Sequence, residues 1–62
     1  MDKRTLRELR RLLGLTQKEL ADRAGCVQSE ISKIEKGRIP KFDLAQRIAR
    51  ALEVEAEYIK WN

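Results

Sequence analysis

The chain has 62 residues, enough for one small domain, and its 14 basic and 10 acidic side chains give a net charge of +4. With one cysteine and no histidine, an internal disulfide and a Cys/His zinc site are excluded, so we expect helix packing to stabilise the fold without metal or cofactor. The charged N-terminal residues do not resemble a signal peptide, and no stretch approaches the ~18 apolar residues of a membrane span, so we expect a soluble, cytoplasmic protein that does not bind membranes.

Apolar residues recur at helical spacing in five segments, which predicts one all-α, compact five-helix bundle over residues 1–62, with no strand. The first helix ends before Gly14, since glycine readily adopts the left-handed conformation that ends helices. Its apolar stripe consists of Leu6, Leu9, Leu12 and Leu13. The second helix begins at Thr16, which forms a Thr-x-x-Glu capping box with Glu19, and ends at Gly25.

The third helix is predicted over residues 28–36. The connection that follows, residues 37–41, is the longest, because Pro40 disfavours helical backbone in the residue before it and lacks an N–H group. A fourth helix is predicted from the helical spacing of the apolar residues between Leu44 and Leu52, with Asp43 in its first turn, and a short fifth helix is predicted over residues 56–61.

Two short helices joined by a turn occupy residues 17–36 and have the spacing of a helix-turn-helix. Ala21 and Gly25 are small at the point where two steeply crossing helices must approach closely. Cys26, which follows the turn glycine, is expected to be a small core residue.

The third helix is amphipathic at about 100° per residue. Val27, Ile31 and Ile34 share its apolar side, while an opposite arc of about 140° is basic or neutral. The outer arc consists of Gln28, Ser29, Ser32, Lys33 and Lys36. One interpretation is a solvated surface; the other is a face that approaches DNA, since no carboxylate lies at its centre.

Over nearly its whole length the chain resembles the phage repressor and Cro family of helix-turn-helix regulators. The motifs that carry the resemblance are GLTQ at 14–17, EISKIEKG at 30–37 and IARALEV at 48–54. The resemblance implies a lambda-repressor-like fold in which helices two and three form the helix-turn-helix, and double-stranded DNA as the partner.

Base contacts are expected on the outer arc, where Gln28 pairs with adenine and Lys33 donates to guanine, or reaches a phosphate instead. The residues predicted to meet base edges are Gln28, Ser29, Ser32 and Lys33. The resemblance implies phosphate contacts at the start of helix two and around the loop after helix three. That set is Thr16, Gln17, Lys36, Arg38 and Lys41, and Gln17 is also expected to brace Gln28.

Two further contacts follow from the resemblance. Arg10 and Glu35 match positions that commonly form a partly buried ion pair in this family, the alternative being two solvated charges. The region beyond helix four often forms a dimer contact in relatives, so Tyr58, Ile59 and Trp61 are candidates for one. We expect a monomer in isolation, and dimerisation on DNA stays open.

Three positions depart from the family pattern. Val27 and Lys41 stand where Ser or Thr usually caps a helix, and Glu53 stands where glycine commonly ends helix four, each at a cost of about 1 kcal/mol.

The competing interpretation is an antitoxin-like or regulator-subunit module that binds protein, with weak DNA binding. Catalysis is not expected, because the sequence has no histidine, no Ser or Cys paired with a base and no glycine-rich phosphate loop. No small-molecule substrate is expected.

Overall fold

A computed structural model describes residues 3–61 and contains four α-helices packed around one apolar core. The helices are α1 (Leu6–Leu12), α2 (Gln17–Ala24), α3 (Gln28–Glu35) and α4 (Phe42–Ala51). The predicted all-α class, with a helix-turn-helix formed by α2 and α3, is confirmed. None of the helices within the described range is long and apolar enough to cross a membrane.

The predicted fifth helix is wrong. Ala56–Tyr58 form a single 3-10 turn, and Ile59–Lys60 continue as strand β2, which pairs in parallel with β1 (Arg4–Thr5). The prediction that the chain has no strand is therefore also wrong. β-branched Ile59 favours extended backbone, and its side chain is 1% exposed, so the strand pair brings the two ends of the described chain together over the core.

The core consists of aliphatic side chains from all four helices, from β2, and from Leu15 and Leu52, which lie just outside the helices. Its largest fully buried members are Leu20, Ile31, Ile48 and Ile59. Burial of each such side chain contributes ~1.5–3 kcal/mol relative to exposure. Within this core α2 packs against both α3 and α4, and α3 also contacts α1, so α3 is held against α2 and α1.

The apolar stripe of α1 is shorter than predicted. Leu6 and Leu9 are buried, but Leu12 and Leu13 are 66% and 49% exposed. Leu12 is the last helical residue, and Leu13 lies beyond the helix as its C-cap, where helical spacing no longer directs a side chain toward the core. Leu15, beyond the turn, is 8% exposed and fills that part of the core instead.

Capping boxes start the first two helices. The Thr16 hydroxyl accepts a hydrogen bond from the Glu19 N–H at 3.0 Å, and the Glu19 carboxylate accepts one from the Thr16 N–H at 2.8 Å. Thr5 and Glu8 form the same reciprocal pair at α1. This second box was not predicted, although its Thr-x-x-Glu spacing is visible in the sequence.

The three departures from the family pattern have the expected structural consequences. Val27 and Lys41 precede α3 and α4 with extended backbone and provide no side-chain cap. Glu53 has a φ of 60°, a left-handed conformation that costs a non-glycine residue about 1 kcal/mol.

Candidate nucleic-acid interface

The exposed side of α3 is uncharged or basic. Gln28, Ser29 and Lys33 are exposed and Ser32 is half-buried, whereas the opposite side of the helix is buried in the core. The four residues predicted to meet base edges therefore lie together on one helix, facing away from the core.

Val27 does not lie on the buried side as predicted; it is 60% exposed. It precedes the first helical residue and has φ −92° and ψ 152°, so the helical spacing that aligns Ile31 with Ile34 does not extend to it. Its N–H donates to the Glu30 carboxylate at 3.5 Å. An exposed apolar side chain thus lies next to Gln28 at the start of α3.

Glu35, at the end of α3, is the centre of a charged network. Arg10 donates to its carboxylate through Nε at 2.7 Å and through Nη2 at 3.3 Å, and the two side chains are 11% and 4% exposed. Nη1 of Arg10 donates to the Leu15 carbonyl at 2.8 Å, and Arg7 Nε lies 3.8 Å from Glu35 Oε1. Arg10 thereby ties α1 both to α3 and to the loop before α2.

Gln17 joins the start of α2 to the same network. Its Nε2 donates to Glu35 Oε1 at 3.1 Å. The expected brace between Gln17 and Gln28 is thus replaced by a contact between the start of α2 and the end of α3.

The network determines the charge of Glu35. Burial alone would raise the pKa of this carboxyl, but the hydrogen bonds from Arg10 and Gln17 and the charges of Arg10 and Arg7 outweigh it and lower the pKa below the ordinary 4.5. The carboxylate is therefore ionised at neutral pH, and Arg10 of α1 compensates its charge.

The predicted phosphate contacts lie at helix ends. Thr16 is the N-cap of α2 and Gln17 its first residue, while Lys41 is the N-cap of α4. Lys36 directly follows α3, and Arg38 lies in the loop between α3 and α4; these two side chains and Lys41 are exposed. Helix N-termini carry unpaired N–H groups and partial positive charge, so this placement suits anion binding.

A groove of about 460 Å³ separates α3 from the start of α4. Its walls include Arg38, Lys41 and Arg47, but also the carboxylates of Glu30 and Asp43. The groove is therefore mixed in charge and is not by itself a basic phosphate pocket.

A sequence profile of the helix-turn-helix family matches residues 6–59. The chain belongs to this family. At the level of the family it is a DNA-binding regulator of the Cro/repressor type. An uncharacterized HTH-type transcriptional regulator of Methanothermobacter thermautotrophicus is 59% identical over 48 residues, which cover 76% of this chain and 70% of the relative. No solved structure matches the sequence.

The candidates for a dimer contact in this helix-turn-helix protein differ in exposure. Ile59 is 1% exposed and packs inside the core, so it is not accessible to a second copy. Tyr58 and Trp61 are half-buried against the core and present the rest of their surface to solvent.

Arg47 makes a contact with the turn of the helix-turn-helix that was not predicted from the sequence. Its Nη1 donates to the Gly25 carbonyl at 3.1 Å, from α4 to the turn between α2 and α3. No sequence signal points to this contact, because the two residues are 22 positions apart and an exposed arginine on an amphipathic helix is ordinary.

Proposed function

We propose that this helix-turn-helix protein binds double-stranded DNA sequence-specifically, as a repressor-like transcriptional regulator, with α3 seated in the major groove. The observation that carries the proposal is the exposed, uncharged or basic side of α3, opposite the buried side chains of Ile31 and Ile34. The major groove of B-DNA is about 12 Å wide and accepts a single helix. The name of the Methanothermobacter thermautotrophicus relative supports the regulatory role.

Gln28 and Lys33 supply most of the base preference in this proposal. The Gln28 amide pairs bidentately with adenine N6 and N7, and the Lys33 ammonium donates to guanine O6 and N7. Five helical residues rise about 7.5 Å, and a base step is about 3.4 Å, so the two bases are two to three steps apart. Ser29 and Ser32 complete the reading face, and Lys33 has a phosphate as its alternative partner.

Phosphate contacts position the recognition helix. Thr16 and Gln17 present the N-terminus of α2 to one phosphate, while Lys36, Arg38 and Lys41 hold the backbone beside the loop and the start of α4. Such contacts supply affinity and orientation without reading sequence.

The protein acts in this proposal as a monomer when free of DNA, in the cytoplasm and without a catalytic step. A specific interface buries on the order of 800 Å² per partner, a large share of the 4403 Å² surface of the described chain. Tyr58 and Trp61 remain candidates for contact between copies on adjacent half-sites. Sedimentation that shows a stable dimer at micromolar concentration without DNA would contradict the proposed monomeric state.

The second candidate function is a protein-interaction module. It is favoured by exposed apolar side chains near α4, with Ile39 61% and Phe42 75% exposed. A contiguous exposed apolar patch can mark a surface that a partner covers.

Selection of bound sites from a random duplex library tests the proposal, with a mobility shift on unselected duplex at low salt as its companion. We expect enrichment of a short motif that contains an A and a G two to three steps apart. No enrichment and no low-salt shift would favour the protein-interaction module, and a shift without enrichment would leave only non-specific DNA binding.

A further inference from the structure

We infer that Arg47 is a positioning residue, which holds the turn of the helix-turn-helix from α4 and so sets where the recognition helix begins. The inference rests on the proposed function, because it concerns how the reading helix is aligned on DNA. Its central observation is the hydrogen bond from Arg47 Nη1 to the Gly25 carbonyl at 3.1 Å.

The carbonyl that Arg47 binds belongs to a helix end. Gly25 is the C-cap of α2, with a left-handed φ of 74°, and carbonyls at this end of a helix have no partner within it. A hydrogen bond from a charged guanidinium is about twice as strong as a neutral one. A Cβ on Gly25 would lie 3.5 Å from Arg47 Nη1, so the guanidinium packs directly on the turn.

A backbone hydrogen bond to α2 also stabilises the turn. The Cys26 N–H donates to the Ala21 carbonyl at 2.9 Å, which secures the next residue against α2. Burial and the nearby Glu30 carboxylate raise the pKa of the Cys26 thiol while Arg47 opposes them, so both charged groups lie close to this point. Arg47, which belongs to α4, thus stabilises the turn through a contact from outside α2.

Movement of the turn is transmitted directly to base reading. Only three residues, 25–27, separate α2 from α3, and Gln28 is the first residue of α3. At the other end of the contact, Ile48, next to Arg47, is 0% exposed and anchors α4 in the core. Lys41, a proposed phosphate contact, is the N-cap of α4, so Arg47 links this end of the phosphate-binding surface to the start of the reading helix.

Arg47→Ala tests the inference, with Arg50→Ala as the matched control. Arg50 is exposed on the same helix and carries the same charge, and together with Arg47 it lines a second groove, between α4 and the end of α2 at Gly25. The first readout is amide hydrogen exchange of Cys26 in the protein without DNA. We expect exchange about three- to tenfold faster in Arg47→Ala, the equivalent of one hydrogen bond, and no change in Arg50→Ala.

The second readout is base discrimination, measured as the ratio of Kd values for random and selected duplexes, at a temperature where each variant is folded. Both variants should lose similar affinity for random duplex, because each loses one positive charge. Arg47→Ala alone should also lose about three- to tenfold in discrimination.

Each other outcome overturns the inference in a recognisable way. Unchanged Cys26 exchange in Arg47→Ala means that the turn is not held by Arg47, whatever DNA does. Faster exchange with full discrimination means that the hold does not position α3. Equal weakening on all duplexes, with a salt slope reduced by about one relative to Arg50→Ala, makes Arg47 a phosphate contact. If the unmodified protein binds no duplex, the proposed function fails and the positioning role fails with it.

Discussion

Arg10 donates a hydrogen bond to Glu35 at 2.7 Å and so joins α1 to the end of the helix that we propose reads DNA. Their side chains are 11% and 4% exposed. Surface ion pairs contribute ~0–1 kcal/mol, whereas removal of one partner from a buried pair leaves a charge without compensation. The pair therefore stabilises the placement of α3 and not only the surface of the domain.

Arg10→Ala should lower the free energy of unfolding by about 3 kcal/mol, because it leaves the Glu35 carboxylate buried without its main partner. Denaturant or thermal unfolding measures this. Arg11→Ala, which removes a neighbouring exposed arginine, should change stability by less than about 0.5 kcal/mol. An unaltered melting temperature in Arg10→Ala would show that the pair contributes nothing.

Glu35 also gives the fold a pH dependence. Its pKa in the folded protein lies below the ordinary 4.5, so its contribution to stability is complete above that value and is lost as the pH falls through the lower folded pKa. Glu8 and Glu19 have lowered pKa values too, through hydrogen bonds from Thr5 and Thr16, and act in the same direction.

A comparison with Glu35→Gln isolates this residue. The unmodified protein should be more stable than Glu35→Gln at neutral pH, and the difference should shrink in acid as Glu35 becomes protonated. Unfolding curves over a pH series provide the measurement. A stability difference that stays constant down to the acid limit would rule out the lowered pKa.

DNA binding should depend strongly on salt. About four to six phosphate contacts imply a slope of log K against log salt of roughly −4 to −5. Lys36→Ala, Arg38→Ala and Lys41→Ala should each reduce the slope by about one and weaken all sequences alike. A slope near zero in a salt titration would favour the protein-interaction module.

The helix caps offer a paired stability test. Val27→Ser adds a hydroxyl cap to α3 at a position with suitable extended backbone and little buried surface, and should raise stability by about 1 kcal/mol. Thr16→Val removes the cap of α2 and should lower stability by about the same amount. Equal melting temperatures for both variants and the parent protein would contradict this account of the caps.

The four helices could be predicted from the sequence because each is marked by a local pattern that does not depend on contacts with distant residues. Apolar spacing marks their buried faces, and glycines at 14, 25 and 37, all with positive φ, mark the turns. The strand pair was not predictable in the same way. A strand of two residues, such as Ile59–Lys60, is too short to show the alternation of apolar and polar side chains that marks a strand. Its partner, Arg4–Thr5, lies at the other end of the chain.

The candidate site also has a part that the local sequence predicts and a part that it does not. The exposed side of α3 follows from helical geometry alone, so Gln28 and Lys33 are found on it as expected. Contacts made by flexible polar side chains cannot be predicted from helical geometry, because a group such as a glutamine amide has several hydrogen-bond partners within reach. Gln17 on Glu35 and Arg47 on Gly25 are of this kind.

The most direct test of the central claim is the base preference of Gln28→Ala, with Gln46→Ala, an exposed glutamine on α4, as control. We expect Gln28→Ala to lose ~1–3 kcal/mol on the selected site, to relax the preference at one base and to keep its melting temperature, because the side chain is exposed. Gln46→Ala should match the unmodified protein in all three respects. Full affinity and unaltered base preference in Gln28→Ala would mean that α3 does not read DNA.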